Sequence, residues 1–230
     1  MPADAIKTPK GLKTRSNILE SALGLFQERG YEQTTMRSIA AEAGVSLGNA
    51  YYYFVSKDVL IQAFYERTHR EHLAACEPVL QAEADLRRRL HGVMIAKLET
   101  IEPYHNFSGV LFKTAADPKS PLNPFSAESQ AVRQESTKLF AEVVAGSSAK
   151  VSKRLGPELP NLLWTYHMGI ILYWIHDTSP GCANSYRLVE QTVGLITKLI
   201  AMARLPLMRP LMSRTLRLVS DLRTMDPAPR

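Results

Sequence analysis

Cysteine is scarce in this chain: only Cys76 and Cys182 occur in 230 residues. Their separation offers neither the paired spacing of a zinc site nor a disulfide framework, so both are expected as reduced thiols. Long apolar runs are missing as well. The most apolar stretch, 162–175, is interrupted by Thr165, His167 and Gly169, which leaves no span of roughly 20 apolar residues and no signal peptide and points to a cytoplasmic protein away from membranes. Alternating strand patterns of useful length, internal repeats and low-complexity tracts are also lacking. Nor is there catalytic equipment. No Ser-His-Asp context or metal cluster occurs, and the glycines at 44 and 48 have no Walker lysine that would make them a phosphate cradle. Neither an enzyme activity nor a cofactor is expected. His69 and His72, near Glu66, stand at i, i+3 on a charged helix; with no third ligand indicated, solvation is expected there rather than metal binding.

What the chain does have is enough apolar content, 45%, to build the core of one large domain or two modest ones. Its formal charge of +6 is uneven: the first 15 residues carry +3, the last 27 carry +4, and the middle is about −1. Basic ends suit nucleic acid, and equally serve solubility.

The most informative stretch runs from Thr34 to Lys57. Thr35 is placed to cap a helix from Met36 to Ala43, with Ile39, Ala40 and Ala43 on its inner face. Gly44 falls where a helix must end in a left-handed residue. Val45 is then a buried pivot, Ser46 a second cap, and a further helix runs from Leu47 to about Phe54, with Ala50 and Phe54 turned inward at i, i+4. Leu47, Gly48, Asn49, Tyr52 and Tyr53 are left outside. That is a poor solvent face but a good contact face: glycine permits close approach, asparagine offers a donor and an acceptor to a base edge, and tyrosine hydroxyls from Tyr51 to Tyr53 with Lys57 can reach phosphates. The pattern is that of a helix-turn-helix whose second helix enters a major groove by its N-terminus.

Residues 14–60 resemble the DNA-binding domain of the TetR family of bacterial transcriptional regulators. The elements in register are Ile18, Ala22 and Phe26 on a first helix, Gly30-Tyr31 closing it, Thr34-Thr35, Ile39-Ala40, Ala43-Gly44-Val45-Ser46, Gly48, Tyr51, Phe54 and Lys57. Ala50 departs from the larger aliphatic residue usual in the family, which predicts a looser seat for the recognition helix. The resemblance carries base reading to Arg37, Leu47 and Asn49, close approach to Gly48, and backbone positioning to Thr35, Ser46, Tyr51, Tyr52, Tyr53 and Lys57.

In chain order, residues 1–12 read as a flexible basic arm, 13–58 as the helix-turn-helix domain and 59–230 as a larger helical domain. The first helix is expected from about Lys13 to Arg29. Ser56 caps a fourth helix to about Cys76 that links the domains, with Leu60, Ile61 and Phe64 in the small core. Beyond Pro78, helices are expected at about 80–100, 103–115, 126–147, 157–177, 184–204 and 207–223, punctuated by proline and glycine. The fold class is therefore all-α: an N-terminal three-helix helix-turn-helix domain and a C-terminal helical domain for ligand binding and dimerisation.

Helices 157–177 and 184–204 are apolar on more than one face, which predicts a homodimer packed through them as a four-helix interface. The resemblance implies a small-molecule pocket in the body. Residue chemistry offers Tyr104, His105, Phe107, Phe112, Phe125, Trp164, His167 and Tyr173 as its lining, each with core packing or the dimer seam as the plainer role. The last helix is amphipathic and arginine-bearing; with Pro210 inside it, a covering strut is expected rather than a membrane-surface helix. Together these features predict a dimeric repressor of a palindromic operator on double-stranded DNA, released by a small, largely apolar effector. The competing expectation is a helical protein-interaction module whose helix-turn-helix is purely structural.

Overall fold

The computed structural model describes residues 8–205, without the side chains of Val110 and Thr114. The expected helix at 207–223 and most of the expected arm lie outside the described residues. Those described form nine α-helices and no strand: α1 (Pro9–Arg29), α2 (Met36–Glu42), α3 (Leu47–Tyr53), α4 (Lys57–Ala82), α5 (Leu86–Ile101), α6 (His105–Ala115), α7 (Gln130–Ala145), α8 (Leu159–Ile175) and α9 (Ala183–Met202). Single 3-10 turns, Glu102–Tyr104 and Pro180–Cys182, precede α6 and α9. No helix among them is long and apolar enough to cross a membrane.

Four boundaries differ by several residues from expectation: the start of α1, the end of α4, and the starts of α5 and α7, at Leu86 rather than about 80 and at Gln130 rather than about 126. α1 begins at Pro9 rather than Lys13, because Thr8 caps it by accepting from the Gly11 amide and proline sits at its first position, where no N–H is needed. α4 continues past Pro78 to Ala82. Proline removes one helical hydrogen bond there, while the carbonyls of Leu80 and Glu83 just beyond it accept from the Arg89 guanidinium.

The chain divides into two compact units. The first holds the described residues up to Glu71 together with Thr100–Gln134. Ile18, Ala22 and Phe26 of α1 meet Ile39 and Ala40 of α2, Ala50 of α3, Phe54, and Leu60, Ile61 and Phe64 of α4 in one apolar core. α6 contributes Phe107, Leu111 and Ala115 at i, i+4, i+8, and Leu122 follows from the next loop. Phe107 is fully buried and stacks on Phe26, with centroids 5.7 Å apart and planes 9° apart; burial of a phenylalanine contributes roughly 1.5–3 kcal/mol.

The second unit comprises His72–Glu99 and the described residues from Glu135 onward. Its buried residues include Leu90, Val93 and Met94 of α5, Phe140 and Val143 of α7, Leu163 and Trp174 of α8, and Val189 and Val193 of α9. Arg89 is buried with them and binds no carboxylate among the described residues: its guanidinium donates to Leu80 O and Glu83 O at the end of α4 and to Glu142 O and Val143 O at the end of α7. Leu80 O, Glu83 O and Val143 O are carbonyls that a helix C-terminus leaves without an intrahelical partner, at the negative end of its dipole, while Glu142 O accepts from Gly146 N as well, at 3.0 Å.

Candidate nucleic-acid interface

The two helices of the reading motif are fixed by their caps. Thr35 Oγ1 accepts from Ser38 N at 3.1 Å and Ser38 Oγ accepts from Thr35 N at 3.0 Å, a reciprocal capping box built with serine. Gly44 takes φ +65°, the left-handed turn that ends α2, and Val45 N then reaches Ala40 O at 2.9 Å. Ser46 Oγ accepts from Asn49 N at 3.1 Å and so caps α3. Ala50 and Phe54 are fully buried behind α3, while Val45, expected as a buried pivot, is only half-buried at the edge of the core.

α1 grips both helices. Asn17 Nδ2 donates to Ala43 O at the end of α2 at 2.9 Å, and the Arg15 guanidinium lies 4.8 Å over the Phe54 ring that closes α3. At the opposite junction Lys57 Nζ donates to Tyr31 O at 2.6 Å and stands 4.1 Å above the Tyr31 ring. Tyr31 in turn donates its hydroxyl to Asp58; burial first, and then that bond, push its pKa up, so the phenol remains a donor.

With the back of α3 buried, its front is defined. Thr35, Arg37, Ser46, Gly48, Asn49, Tyr51 and Tyr52 are exposed; Leu47, Tyr53 and Lys57 are half-buried. Tyr52 and Tyr53 meet edge to face at 5.1 Å. Gly48 opens onto empty space: apart from its chain neighbours and the backbone of its own helix, no described atom lies within 4 Å of where a Cβ would stand. Arg37 on α2 and Asn49 on α3 bring a cation and an amide to the outside of the same motif, the side-chain chemistry that reads guanine and adenine edges.

The eight residues expected around a ligand divide between the units. Tyr104, His105, Phe107, Phe112 and Phe125 belong to the first, and Trp164, His167 and Tyr173 to the second. Phe107 is a core residue, Phe125 and Tyr173 are exposed, and Trp164 and His167 are buried. His167 lies parallel to His72, with centroids 5.7 Å apart and planes 8° apart, and 5.5 Å from the Phe140 ring. His72 Nε2 is 2.9 Å from Val93 O.

The expectation that His69 and His72 are solvated is therefore corrected: both are buried. They continue the inner stripe of α4 that runs through Phe64, Thr68 and Cys76, a helical period visible in the sequence and masked by the charged residues between. Among the described residues no group of three or more histidines, cysteines and carboxylates could hold a metal ion. Cys76 and Cys182 are buried and form no disulfide among the described residues, and burial pushes the Cys76 thiol up to about 12.

A groove of about 1020 Å³ opens elsewhere in the second unit, between the start of α5, the end of α9 and residues 148–150. Arg87 and His91 pair across it with Glu190, at 3.0 and 2.8 Å. None of the eight residues lines it. Its walls come from three segments far apart in sequence that mix charged with apolar residues, and no periodicity marks them.

Two family models match the chain: bacterial regulatory proteins of the tetR family over residues 18–64, and the tetracyclin repressor-like C-terminal domain over 89–215. The chain is 33% identical over 91 residues, 40% of its length and 46% of the relative's, to the HTH-type transcriptional repressor KstR2 of Mycobacterium tuberculosis. The match thus spans about half of that relative. In fold it is similar to a TetR transcriptional regulator from Nitrosomonas europaea, with TM-score 0.61, 18% identity, and 80% of this chain and 97% of that one covered. It is similar also to the regulator FadR from Bacillus subtilis in complex with stearoyl-CoA, with TM-score 0.62, 16% identity, and coverages of 79% and 97%. A helix-turn-helix capped and buried as described, together with a second model of the same family that matches more than half the chain, makes this protein a member of the TetR family of DNA-binding transcriptional regulators.

Proposed function

We propose that the chain is a dimeric repressor that reads a palindromic operator and is released from it by a small, largely apolar effector. The observation that carries this reading is the outer face of the motif: Arg37, Gly48, Asn49, Tyr51 and Tyr52 exposed on two capped helices whose backs are closed. In it Arg37, Leu47 and Asn49 read bases and Gly48 lets the backbone come close. Thr35, Ser46, Tyr51, Tyr52, Tyr53 and Lys57 hold phosphates, and Lys57 also braces Tyr31. The functional division is an arm ahead of α1, a reading domain from the start of α1 to residue 58 and an effector and dimer domain at 59–230. An operator as target puts the work of the protein in the cytoplasm.

Dimerisation through α8 and α9 is supported by large apolar side chains left outside on both, Leu172 and Tyr173 on one and Leu195, Leu199 and Met202 on the other. A two-fold pair of heads calls for a palindrome with half-sites spaced by the head separation. The stearoyl-CoA complex of the Bacillus FadR supports an effector with a large apolar part, and release follows if the effector favours a body conformation in which α4 carries the heads out of register.

The test is binding of the full-length protein to duplexes from its own upstream region, with Tyr52→Ala and Arg37→Ala as controls, at two salt concentrations. Tight binding to a palindrome, weakening by orders of magnitude between low and moderate salt and lost in both variants, is the expected result. Failure to bind that region or any selected duplex would favour the protein-interaction module instead.

A further inference from the structure

Arg67 lies on α4 with a side chain only 18% exposed, and its guanidinium is shared among three segments of the first unit. Nη1 pairs with Glu20 of α1, Nη2 donates to Tyr104 Oη at 3.0 Å, and Nε lies 3.8 Å from Glu71 one turn along α4. The cation also sits 5.9 Å from the Phe64 ring and 5.8 Å from the Tyr104 ring, which meet each other edge to face at 4.8 Å. A lone exposed ion pair contributes little. Here, though, a planar fork is held by two rings and a phenol before it meets the carboxylate, so little freedom is left to lose and its direction is set.

That direction matters because of what α1 carries. Glu20 is one turn beyond Asn17, whose amide holds the end of α2, and Arg15 of the same helix holds the residue that closes α3. The apolar core fixes α1 against its neighbours through Ile18, Ala22 and Phe26, but apolar contact is non-directional and tolerates small rotations. The Arg67 fork is a directional tie between α1 and the turn that leads into α6. We propose that Arg67 is a positioning residue for operator reading: through Glu20 and Tyr104 it sets the rotation of α1, and with it the orientation of α2 and α3, relative to Thr100–Gln134. The proposal rests on the head reading DNA, as inferred above, and names the residues through which a displaced Tyr104 would be felt there.

The experiment uses the full-length chain with Tyr104→Phe, Glu20→Gln and Arg67→Met, singly and combined. The operator is supplied with its own half-site spacing and with spacings one base pair longer and shorter, and each variant's melting is followed by circular dichroism. Tyr104→Phe and Glu20→Gln are each expected to weaken operator binding roughly three- to tenfold, to flatten the preference among spacings, and to have no further effect once Arg67 is methionine. Arg67→Lys does not restore binding, since an ammonium cannot reproduce the fork.

A purely structural role would lower the melting temperature and leave spacing preference intact. If folded Tyr104→Phe and Glu20→Gln proteins bind with unaltered affinity and spacing preference, the relay is overturned while the regulator stands; these two conservative changes decide the matter even if Arg67→Met fails to fold. If the unmodified chain binds no operator, both readings fall.

Discussion

Arg89 and Gly146 stand closer than any side chain at position 146 would allow: a Cβ built there falls 2.3 Å from Arg89 Nη2 and 2.8 Å from its Cζ. The guanidinium cannot swing aside cheaply, because it is buried and held by four carbonyls at the ends of α4 and α7. Ser148 N joins the same ends by donating to Ala84 O at 2.8 Å. Gly146→Ala is therefore expected to destabilise by about 1–3 kcal/mol through overpacking, and Arg89→Met by about 2–4 kcal/mol through the carbonyls it abandons. Both tryptophans, Trp164 and Trp174, lie in the second unit, so urea unfolding followed by tryptophan fluorescence reads this unit alone. A cost below about 0.5 kcal/mol for Gly146→Ala would show that the clasp gives way easily.

Much of the head was legible because its signals are local. Thr35, Gly44 and Ser46 act within three or four residues of themselves, and each forms the cap or turn expected of it. The clasp was not legible: Arg89 and Val143 are 54 positions apart, and nothing in a run of three arginines tells which one will be buried. The same holds for Arg67, whose partners Glu20 and Tyr104 lie 47 and 37 positions away. Phe107 shows a further limit. Its apolar helix face was evident, but whether that face meets a ligand or the Phe26 ring depends on packing between distant segments.

Asp177 closes the turn before α9. Its Oδ1 accepts from the amide and hydroxyl of Ser179, at 2.9 and 2.6 Å, and its Oδ2 from the amide and hydroxyl of Ser185, both at 2.7 Å. Burial opposes the charge, and these four bonds outweigh it, lowering the pKa from 3.8 to about 2. Between those values the unfolded chain takes up the proton first, so this contribution is complete above the unfolded value and is lost as pH falls toward 2. Asp177→Asn is expected to cost on the order of 2 kcal/mol at neutral pH. The gap to the unmodified protein should hold steady above about pH 5 and narrow as the pH drops below 4; a gap unchanged at pH 3 would contradict the assignment.

Gly48 separates stability from function. The space beside it is empty, so Gly48→Ala meets no steric obstacle in the free protein and gains up to about 1 kcal/mol of helix propensity in α3. On DNA, if Gly48 has the role proposed above, the added methyl would occupy the gap that close approach requires. Circular dichroism melting should therefore stay level or rise while operator affinity falls by about tenfold or more, equivalent to some 1.4 kcal/mol. Unchanged affinity would mean that the backbone at position 48 does not approach the duplex.

The exposed faces of α8 and α9 give the last prediction. Leu195 and Leu199 stand at i, i+4 on α9, 57% and 51% exposed, with Met202 three residues on. Leu172 and Tyr173 are exposed on α8. Contiguous exposed apolar surface of this kind marks an interface in a soluble protein, and a two-fold axis through one patch places each leucine against its own mate or a neighbour. A charge there is paid for twice, once in each protomer. Leu195→Glu with Leu199→Glu is thus expected to convert a dimer to a monomer in sedimentation at micromolar concentration while leaving tryptophan fluorescence unchanged. Each head would then meet its half-site alone, and affinity for the palindrome should fall by two or more orders of magnitude, since the second contact is no longer intramolecular. If the double variant still sediments as a dimer, the subunits associate through another surface and the half-site geometry must be derived from that one.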